Sequence, residues 1–182
     1  MTEKTDLVRA SKRISRHLRH RPDEIGIELD PAGWVEVDTL LDALGRHGRR
    51  VDRALLDEIV ATSDKQRFAF DATRTRIRAN QGHSVAVDLE LPIAQPPAVL
   101  YHGTHPGALD AIRREGLRPM SRHHVHLSPD RDTAVRVGGR RGHPVVLEID
   151  AAALAADGHE FRCSANGVWL VDDVPPHRLR EL

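Results

Sequence analysis

"VDLELPIAQPPAVL", residues 87–100, determines how the chain is divided. Within it, Pro92, Pro96 and Pro97 separate two strand-like runs. Proline has no backbone N–H and a fixed φ, so it interrupts sheet pairing and stiffens a connection. We therefore predict two lobes, residues 1–90 and 98–182, joined by a linker at residues 91–97.

The first lobe has the pattern of three helices followed by two strands. Thr5 or Asp6 is available to cap the first helix. A type I turn at residues 30–33, "DPAG", precedes a second helix capped by Asp38, and a third helix follows from Asp52. The runs "RFAFD" and "TRIRA" then predict a strand pair. This is the order of a winged helix, a scaffold often used on nucleic acid.

The second lobe contains both strands and helices. Strands are predicted by "AVLYHGTH", "HVHLS", "HPVVLEID" and "GVWLVDDVPP". Helices are predicted by "PGALDAIRREGL", which ends at Gly116, and by "PDRDTAVRVGG", which has Pro129 in its first turn. The predicted fold class is α+β.

Charge and composition exclude several classes of protein. The chain has 27 Lys and Arg residues and 27 Asp and Glu residues, so its formal net charge is zero. Any site for an anion must therefore arise from a local cluster of basic residues. The single cysteine, Cys163, excludes an internal disulfide framework and a four-cysteine zinc site. No run approaches 18 apolar residues, which predicts a cytoplasmic protein without a membrane partner. The usual dinucleotide, P-loop, hydrolase and zincin motifs are absent from the sequence.

"TRIRANQGHS", residues 75–84, carries many hydrogen-bond donors and no acidic residue. Arg76 and Arg78 share one face of the predicted strand, and guanidinium groups bind phosphate oxygens bidentately. A second basic run, "SRHLRHRP", places Arg16, Arg19 and His20 close together on a helix. On spacing alone, a solvated basic face is the favoured interpretation of "SRHLRHRP". The alternative for "TRIRANQGHS" is an exposed wing that contacts RNA backbone.

Two histidine-containing runs fall in the second lobe. "YHGT" ends a strand, where Gly103 permits either close approach of a nucleotide or an ordinary strand end. His124 and His126 share a face of "RHHVHLS", but no cysteine or carboxylate adjoins them in sequence. A role in the core or in ligand binding is therefore favoured over a metal site.

In order along the chain, "SRHLRHRPDEIGIELDPAGWV", "LLDEIVATSDKQRFAF", "IRANQGHS", "LYHGT", "HVHLS", "GRRGHPVVLEID" and "NGVWL" resemble the RNA 2'-phosphotransferase family, the KptA-type enzymes. The resemblance implies a winged-helix-like first lobe and an NAD-binding second lobe of the ADP-ribosyltransferase type. It also implies a metal-free, monomeric enzyme that acts on RNA and consumes NAD.

The implied reaction removes an internal 2'-phosphate from RNA, as at a tRNA splice junction. The 2'-phosphate attacks the nicotinamide-ribose carbon and expels nicotinamide, which leaves RNA 2'-phospho-ADP-ribose. The ribose 2''-hydroxyl then attacks the phosphate. The products are 2'-hydroxyl RNA and ADP-ribose 1'',2''-cyclic phosphate.

The resemblance also implies roles for individual residues. Many family members carry histidine where this chain has Arg141, which makes Arg141 an alternative to Arg140. The implied catalytic residues are Arg19, His20, Arg78 and Arg140. The implied substrate-binding residues are Arg76, Gln81, His83 and Ser84. The implied NAD-binding residues are His102, Gly103, Thr104, His126, Ser128, Asn166, Gly167 and Trp169.

Two other functions fit the same residues. An NAD-dependent ADP-ribosyltransferase that caps terminal phosphates of RNA or DNA would leave a persistent modified end. A non-catalytic winged-helix protein would show salt-sensitive RNA binding without NAD, but it leaves "YHGT" and "HVHLS" without a role.

Overall fold

The computed structural model describes residues 2–48, 50–63, 66–139 and 142–182. The chain forms two compact units, Met1–Glu90 and Leu91–Leu182, each with its own hydrophobic core. Helices combine with small antiparallel sheets in both units, which is consistent with the α+β class. In the ranges described, no helix has both the length and the apolar character needed to cross a bilayer.

The first unit packs its helices against a three-stranded antiparallel sheet of order β1-β3-β2. The central strand β3 is the predicted arginine strand, and its Ile77 is fully buried while Arg76 and Arg78 alternate with it. The helices are α1 (Thr2–Arg19), α2 (Val37–Arg46) and α3 (Arg53–Thr62), and the strands are β1 (Val35–Glu36), β2 (Phe68–Phe70) and β3 (Arg76–Ala79).

The helix starts in this unit differ in part from the predictions. α1 begins upstream of both Thr5 and Asp6, so neither is its cap. Asp38 lies inside the first turn of α2, where its charge complements the helix dipole, but it does not cap the helix. The start of α3 is confirmed, because the Asp52 carboxylate accepts the Leu55 N–H at 2.9 Å.

The predicted turn at residues 30–33 is confirmed. The Gly33 N–H donates to the Asp30 carbonyl at 2.9 Å. The Asp30 carboxylate also accepts the N–H groups of Ala32 and Trp34, at 2.9 and 2.8 Å. The turn thus fixes the backbone of Trp34 directly before β1.

The second unit contains two three-stranded antiparallel sheets, of order β4-β6-β9 and β5-β8-β7. The segment predicted as a linker belongs to this unit, where Ile93 forms a β-bridge with Arg162. The strands are β4 (Val99–Thr104), β5 (Val125–Leu127), β6 (Val145–Asp150), β7 (Arg162–Cys163), β8 (Trp169–Val171) and β9 (Leu179–Glu181), and the helices are α4 (Leu109–Glu115), α5 (Arg131–Gly138) and α6 (Ala151–Ala156).

Of the two helix boundaries predicted in this unit, one is confirmed and the other is wrong. Gly116 ends α4 with φ of +78°, as expected. Pro129 precedes the cap of α5 rather than lying in its first turn, because the Asp130 carboxylate accepts the Thr133 N–H at 2.7 Å. Helix α6 was not predicted, although Asp150 caps its alanine-rich sequence.

Two glycines allow α5 and β4 to approach closely. A Cβ at Gly103 would lie 1.8 Å from the carbonyl oxygen of Ala134, and one at Gly138 would lie 2.6 Å from that of Thr104. Only glycine, which has no Cβ, can occupy positions where a helix and a strand come this close. The glycine of "YHGT" is therefore required by the packing of a helix against a strand.

Candidate active site

In the first unit, the segment after β3 is bound to the end of α1. The N–H groups of Ser84 and Val85 donate to the Arg19 carbonyl, at 2.9 and 3.4 Å. The Nδ1 atom of His20 and the Ser84 hydroxyl lie 2.9 Å apart, at hydrogen-bond distance. These contacts bring together Arg19, His20 and Ser84, which come from the two basic runs of the sequence.

The Arg19 side chain extends toward the β2–β3 pair. Its Nη2 donates to the Arg67 carbonyl at 3.4 Å, and the same carbonyl accepts the Asn80 N–H at 2.9 Å. Asn80 follows Arg78 by two residues. Arg16, by contrast, donates from Nε to Glu24 at 2.8 Å, so its charge is neutralised by that carboxylate.

Arg78 is held on three sides. Its guanidinium carbon lies 4.5 Å from the centroid of the Trp34 ring. Its Nη1 donates to the carbonyls of Ala32 and Leu89, at 3.3 and 3.4 Å. Its Nε is buried, and no group in the described residues accepts a hydrogen bond from it. Burial lowers the pKa of this guanidinium, but arginine stays protonated in proteins, so the group is a fixed cation.

Arg76 lies beside Arg78 but is largely paired with carboxylates. Its guanidinium carbon is 5.5 Å from the Trp34 ring centroid. It makes ion pairs with Asp71 at 3.4 Å and with Asp30 at 3.5 Å. Two acidic partners offset its charge, which leaves Arg78 as the better candidate to contact an anion.

The other predicted donors of this segment are less open. His83 is only 3% exposed, and a Cβ at Gly33 would lie 3.5 Å from its Nε2. Gln81 is half-buried just after β3. Burial of His83 against the turn suits a packing role as well as it suits contact with substrate.

In the second unit, β4 and β5 are joined where the two histidine runs meet. Tyr101 and Ser128 exchange backbone hydrogen bonds of 2.9 and 2.7 Å. The His102 ring donates from Nδ1 to the His126 carbonyl at 3.0 Å. Because burial lowers the pKa of His102, the ring is neutral at pH 7 and its Nε2 is a hydrogen-bond acceptor.

An open cleft of about 720 Å³ lies beside this junction, within the second unit. Its volume is in the range of small-molecule sites, roughly 300–1,000 Å³. Among the described residues, two arginines and four histidines line it together with one carboxylate, Glu115. Four predicted residues, His102, Gly103, Thr104 and His126, are among its lining residues.

The other predicted NAD-binding residues are not in that lining. Gly167, with φ of +75°, and Asn166 form the turn that joins β7 to β8. Trp169 pairs with Leu127 of β5, and Ser128 bonds to β4. These four residues support the strands around the cleft, and their contacts with NAD stay predictions.

Sequence reasoning missed the two arginines in the basic rim of the cleft. Arg118 and Arg122 line it beside His124, along with Met120, which is 88% exposed. Their run, "RPMSRHH", contains two arginines, two histidines and no acid, which is a usable signal. It was missed because a loop has no hydrophobic period that would separate pocket residues from solvated ones.

Two predicted residues fall outside the part of the chain that the structure describes. These are Arg140 and its alternative, Arg141. In the part that is described, no group of three His, Cys, Asp or Glu side chains is arranged to hold a metal ion.

Arginine is well suited to bidentate recognition of phosphate and carboxylate, and its guanidinium also stacks on aromatic rings. A family model described as "RNA 2'-phosphotransferase, Tpt1 / KptA family" matches residues 5–173. The chain therefore belongs to the RNA 2'-phosphotransferase family, and the protein is a transferase.

Curated relatives agree with this assignment along nearly the whole chain. The chain is 61% identical to the "Probable RNA 2'-phosphotransferase" of Streptomyces griseus, over 94% of this chain and 95% of the relative. It is 60% identical to the protein of the same name from Streptomyces coelicolor, over 95% and 94%. It is 52% identical to that of Trichormus variabilis, over 97% of both.

Proposed function

We propose that the protein removes an internal 2'-phosphate from RNA with NAD as the acceptor. The products are 2'-hydroxyl RNA, nicotinamide and ADP-ribose 1'',2''-cyclic phosphate. In this proposal the first unit is a winged-helix-like lobe that binds the RNA phosphate. The second unit is an ADP-ribosyltransferase-like lobe that binds NAD.

The observation that carries the proposal is the fixation of Arg78. Phosphoryl chemistry needs positioned positive charge more than it needs a protein nucleophile. The Arg78 guanidinium is held by the Trp34 ring and by two carbonyls, so little reorganisation is needed when phosphate binds. Arg19 would supply a second cation from the end of α1.

His20 would act on the reacting ribose or on the phosphate. Its Nδ1 faces the Ser84 hydroxyl at 2.9 Å, which orients the ring. A histidine held in this way can donate or accept a proton near neutral pH. We assign it proton transfer in the second step.

The cleft of the second unit has the chemistry expected of a dinucleotide site. Arg118 and Arg122 are cations suited to a pyrophosphate, and the neutral His102 ring and the Thr104 hydroxyl can bond to ribose or amide groups. NAD supplies an electrophilic ribose carbon and nicotinamide as the leaving group. The protein residues bind and orient it.

The third phosphate-binding arginine of the proposal is Arg140, with Arg141 as the alternative. Both lie outside the described residues. Separate Arg140→Lys and Arg141→Lys variants would assign the role, because lysine keeps the charge but loses the bidentate fork.

The test uses a short RNA with one internal 2'-phosphate, incubated with and without NAD and followed by mass analysis of RNA and small products. We expect loss of phosphate and formation of the cyclic phosphate only with NAD. Unchanged RNA would refute the proposal and favour the RNA-binding alternative. A persistent ADP-ribosylated RNA would favour the capping transferase.

A matched pair of variants links the activity to Arg78. Arg78→Lys should lower kcat/KM strongly, because lysine cannot reproduce the planar fork. Arg53→Lys is the control, since Arg53 also lies over an aromatic ring, 5.1 Å from the centroid of Phe70, but has no assigned role. Equal effects of the two changes would contradict the role of Arg78.

A further inference from the structure

We infer that Trp34 is a positioning residue for Arg78, an inference that rests on the proposed function. The Trp34 ring centroid lies 4.5 Å from the Arg78 guanidinium carbon. A guanidinium within about 6 Å of an aromatic centroid is attracted by the ring quadrupole. The ring therefore sets the plane in which Arg78 offers its donors.

The backbone brings Trp34 near Arg78. In the β1–β3 pair, Val35 faces Ile77, and Trp34 directly precedes Val35 while Arg78 directly follows Ile77. Trp34 is also bonded to Asp30 through both of its backbone groups, at 2.8 and 2.9 Å. The Asp30 carboxylate and the Asp30 N–H thus fix the backbone that carries the Trp34 ring.

The other contacts of Arg78 are weak by comparison. Its two hydrogen bonds to backbone, of 3.3 and 3.4 Å, are longer than the usual range for N–H···O bonds. Its Nε has no acceptor in the described part of the chain. Without the ring, these bonds would leave the guanidinium free to tilt. The two carbonyls engage Nη1, and the Trp34 ring covers one face of the guanidinium. The edge that carries Nη2 therefore remains to bind an anion.

Arg76 depends less on the same ring. Its guanidinium carbon lies farther from the Trp34 centroid, at 5.5 Å, and Asp71 and Asp30 hold it by ion pairs. Loss of the ring should therefore act on the reaction through Arg78.

The kinetic test compares Trp34→Leu, Trp34→Phe and the control Phe70→Leu. Phe70 supports Arg53 and Arg74, at 5.1 and 4.7 Å, in the same unit. We expect Trp34→Leu to lower kcat/KM for 2'-phosphorylated RNA about 3- to 30-fold, Trp34→Phe to lower it less, and Phe70→Leu to change it by less than about twofold. In an Arg78→Lys background, Trp34→Leu should cause little further loss of kcat/KM. If kcat/KM fell there by the same factor as in the wild-type background, the inference would be overturned.

A spectroscopic arm separates this inference from the proposed function. The Arg78 Nε–H proton should resonate upfield because of the Trp34 ring current, and Arg78→Lys identifies it. Trp34→Leu should abolish that shift, while Phe70→Leu preserves it, with amide spectra confirming that each variant is folded. An unchanged shift in Trp34→Leu refutes the contact. If the wild-type protein does not release the 2'-phosphate, the proposed function fails and this arm alone decides the contact.

Discussion

Replacing Gly103 by alanine introduces a methyl group where β4 meets α5. Its Cβ would lie 1.8 Å from the Ala134 carbonyl oxygen and 2.8 Å from the Gly138 nitrogen, where ordinary contact begins at 3.4 Å. Both neighbours are backbone atoms, so no side-chain rotation can relieve the overlap. The helix must move away from the strand.

The size of the effect follows from that geometry. Overpacked cores lose about 1–3 kcal/mol through strained side chains and shifted backbone. Because backbone must move here, we expect about 3 kcal/mol. For a chain of this length, 1 kcal/mol lowers the Tm by about 2–4 °C, so the Tm should fall by about 6–12 °C. The NAD binding that we propose for the cleft should also weaken, because His102 and Thr104 flank this position and line the cleft.

Thermal unfolding followed by circular dichroism measures the change, and Gly139→Ala is the matched control. Gly139 has a φ of −62°, and a Cβ there would meet no atom of the described residues within 4 Å. We expect that substitution to be neutral or to stabilise by about 0.4–1 kcal/mol. A Gly103→Ala protein that melts together with the Gly139→Ala protein would refute the reasoning.

Ser84→Ala removes the hydroxyl 2.9 Å from His20 Nδ1, so kcat/KM should fall about 2- to 12-fold without loss of Tm. Steady-state assays with Ser84→Thr as control test this, and an unaffected Ser84→Ala enzyme would show that other contacts orient the ring. The Asp71 carboxylate accepts the Arg76 N–H, which lowers the pKa of Asp71 below 3.8. The stability that this carboxylate gives the fold is therefore present above pH 3.8 and is lost as the pH falls through the lower, folded-state pKa. Asp71→Asn should lower the free energy of unfolding at pH 7 but matter little in strong acid, and a pH-independent difference in urea titrations would contradict this. Burial lowers the pKa of His102 below 6.5, so the unfolded chain binds a proton that the folded chain does not, and stability should decline as the pH falls below about 6.5. His102→Gln should flatten that decline, and an unaltered pH profile would show that other groups cause it.

The parts of the fold that depend on neighbouring residues could be predicted from the sequence. The Asp30 turn, the Asp52 cap and the Gly116 helix end each involve atoms a few positions apart. The predictions failed where two local signals competed. Asp38 is a good capping residue in isolation, but α2 begins before it, directly after strand β1.

The candidate site was predictable as a set of residues but not as an arrangement. The basic runs identified Arg19 and Arg78 as candidates, while the ion pairs of Arg16 and Arg76 could not be read from their spacing. The basic rim at Arg118 also gave no periodic signal.

The sequence by itself determined the family, the α+β class and the residue types that suit a phosphate, because motif order and short-range geometry are written along the chain. Only the tertiary structure decided that Arg78 lies closer to the Trp34 ring than Arg76 does, and that His20 faces Ser84, a residue 64 positions away. It also decided that Gly103 serves the crossing of α5 and β4. These outcomes depend on strand register and helix packing, which join residues that are distant in sequence.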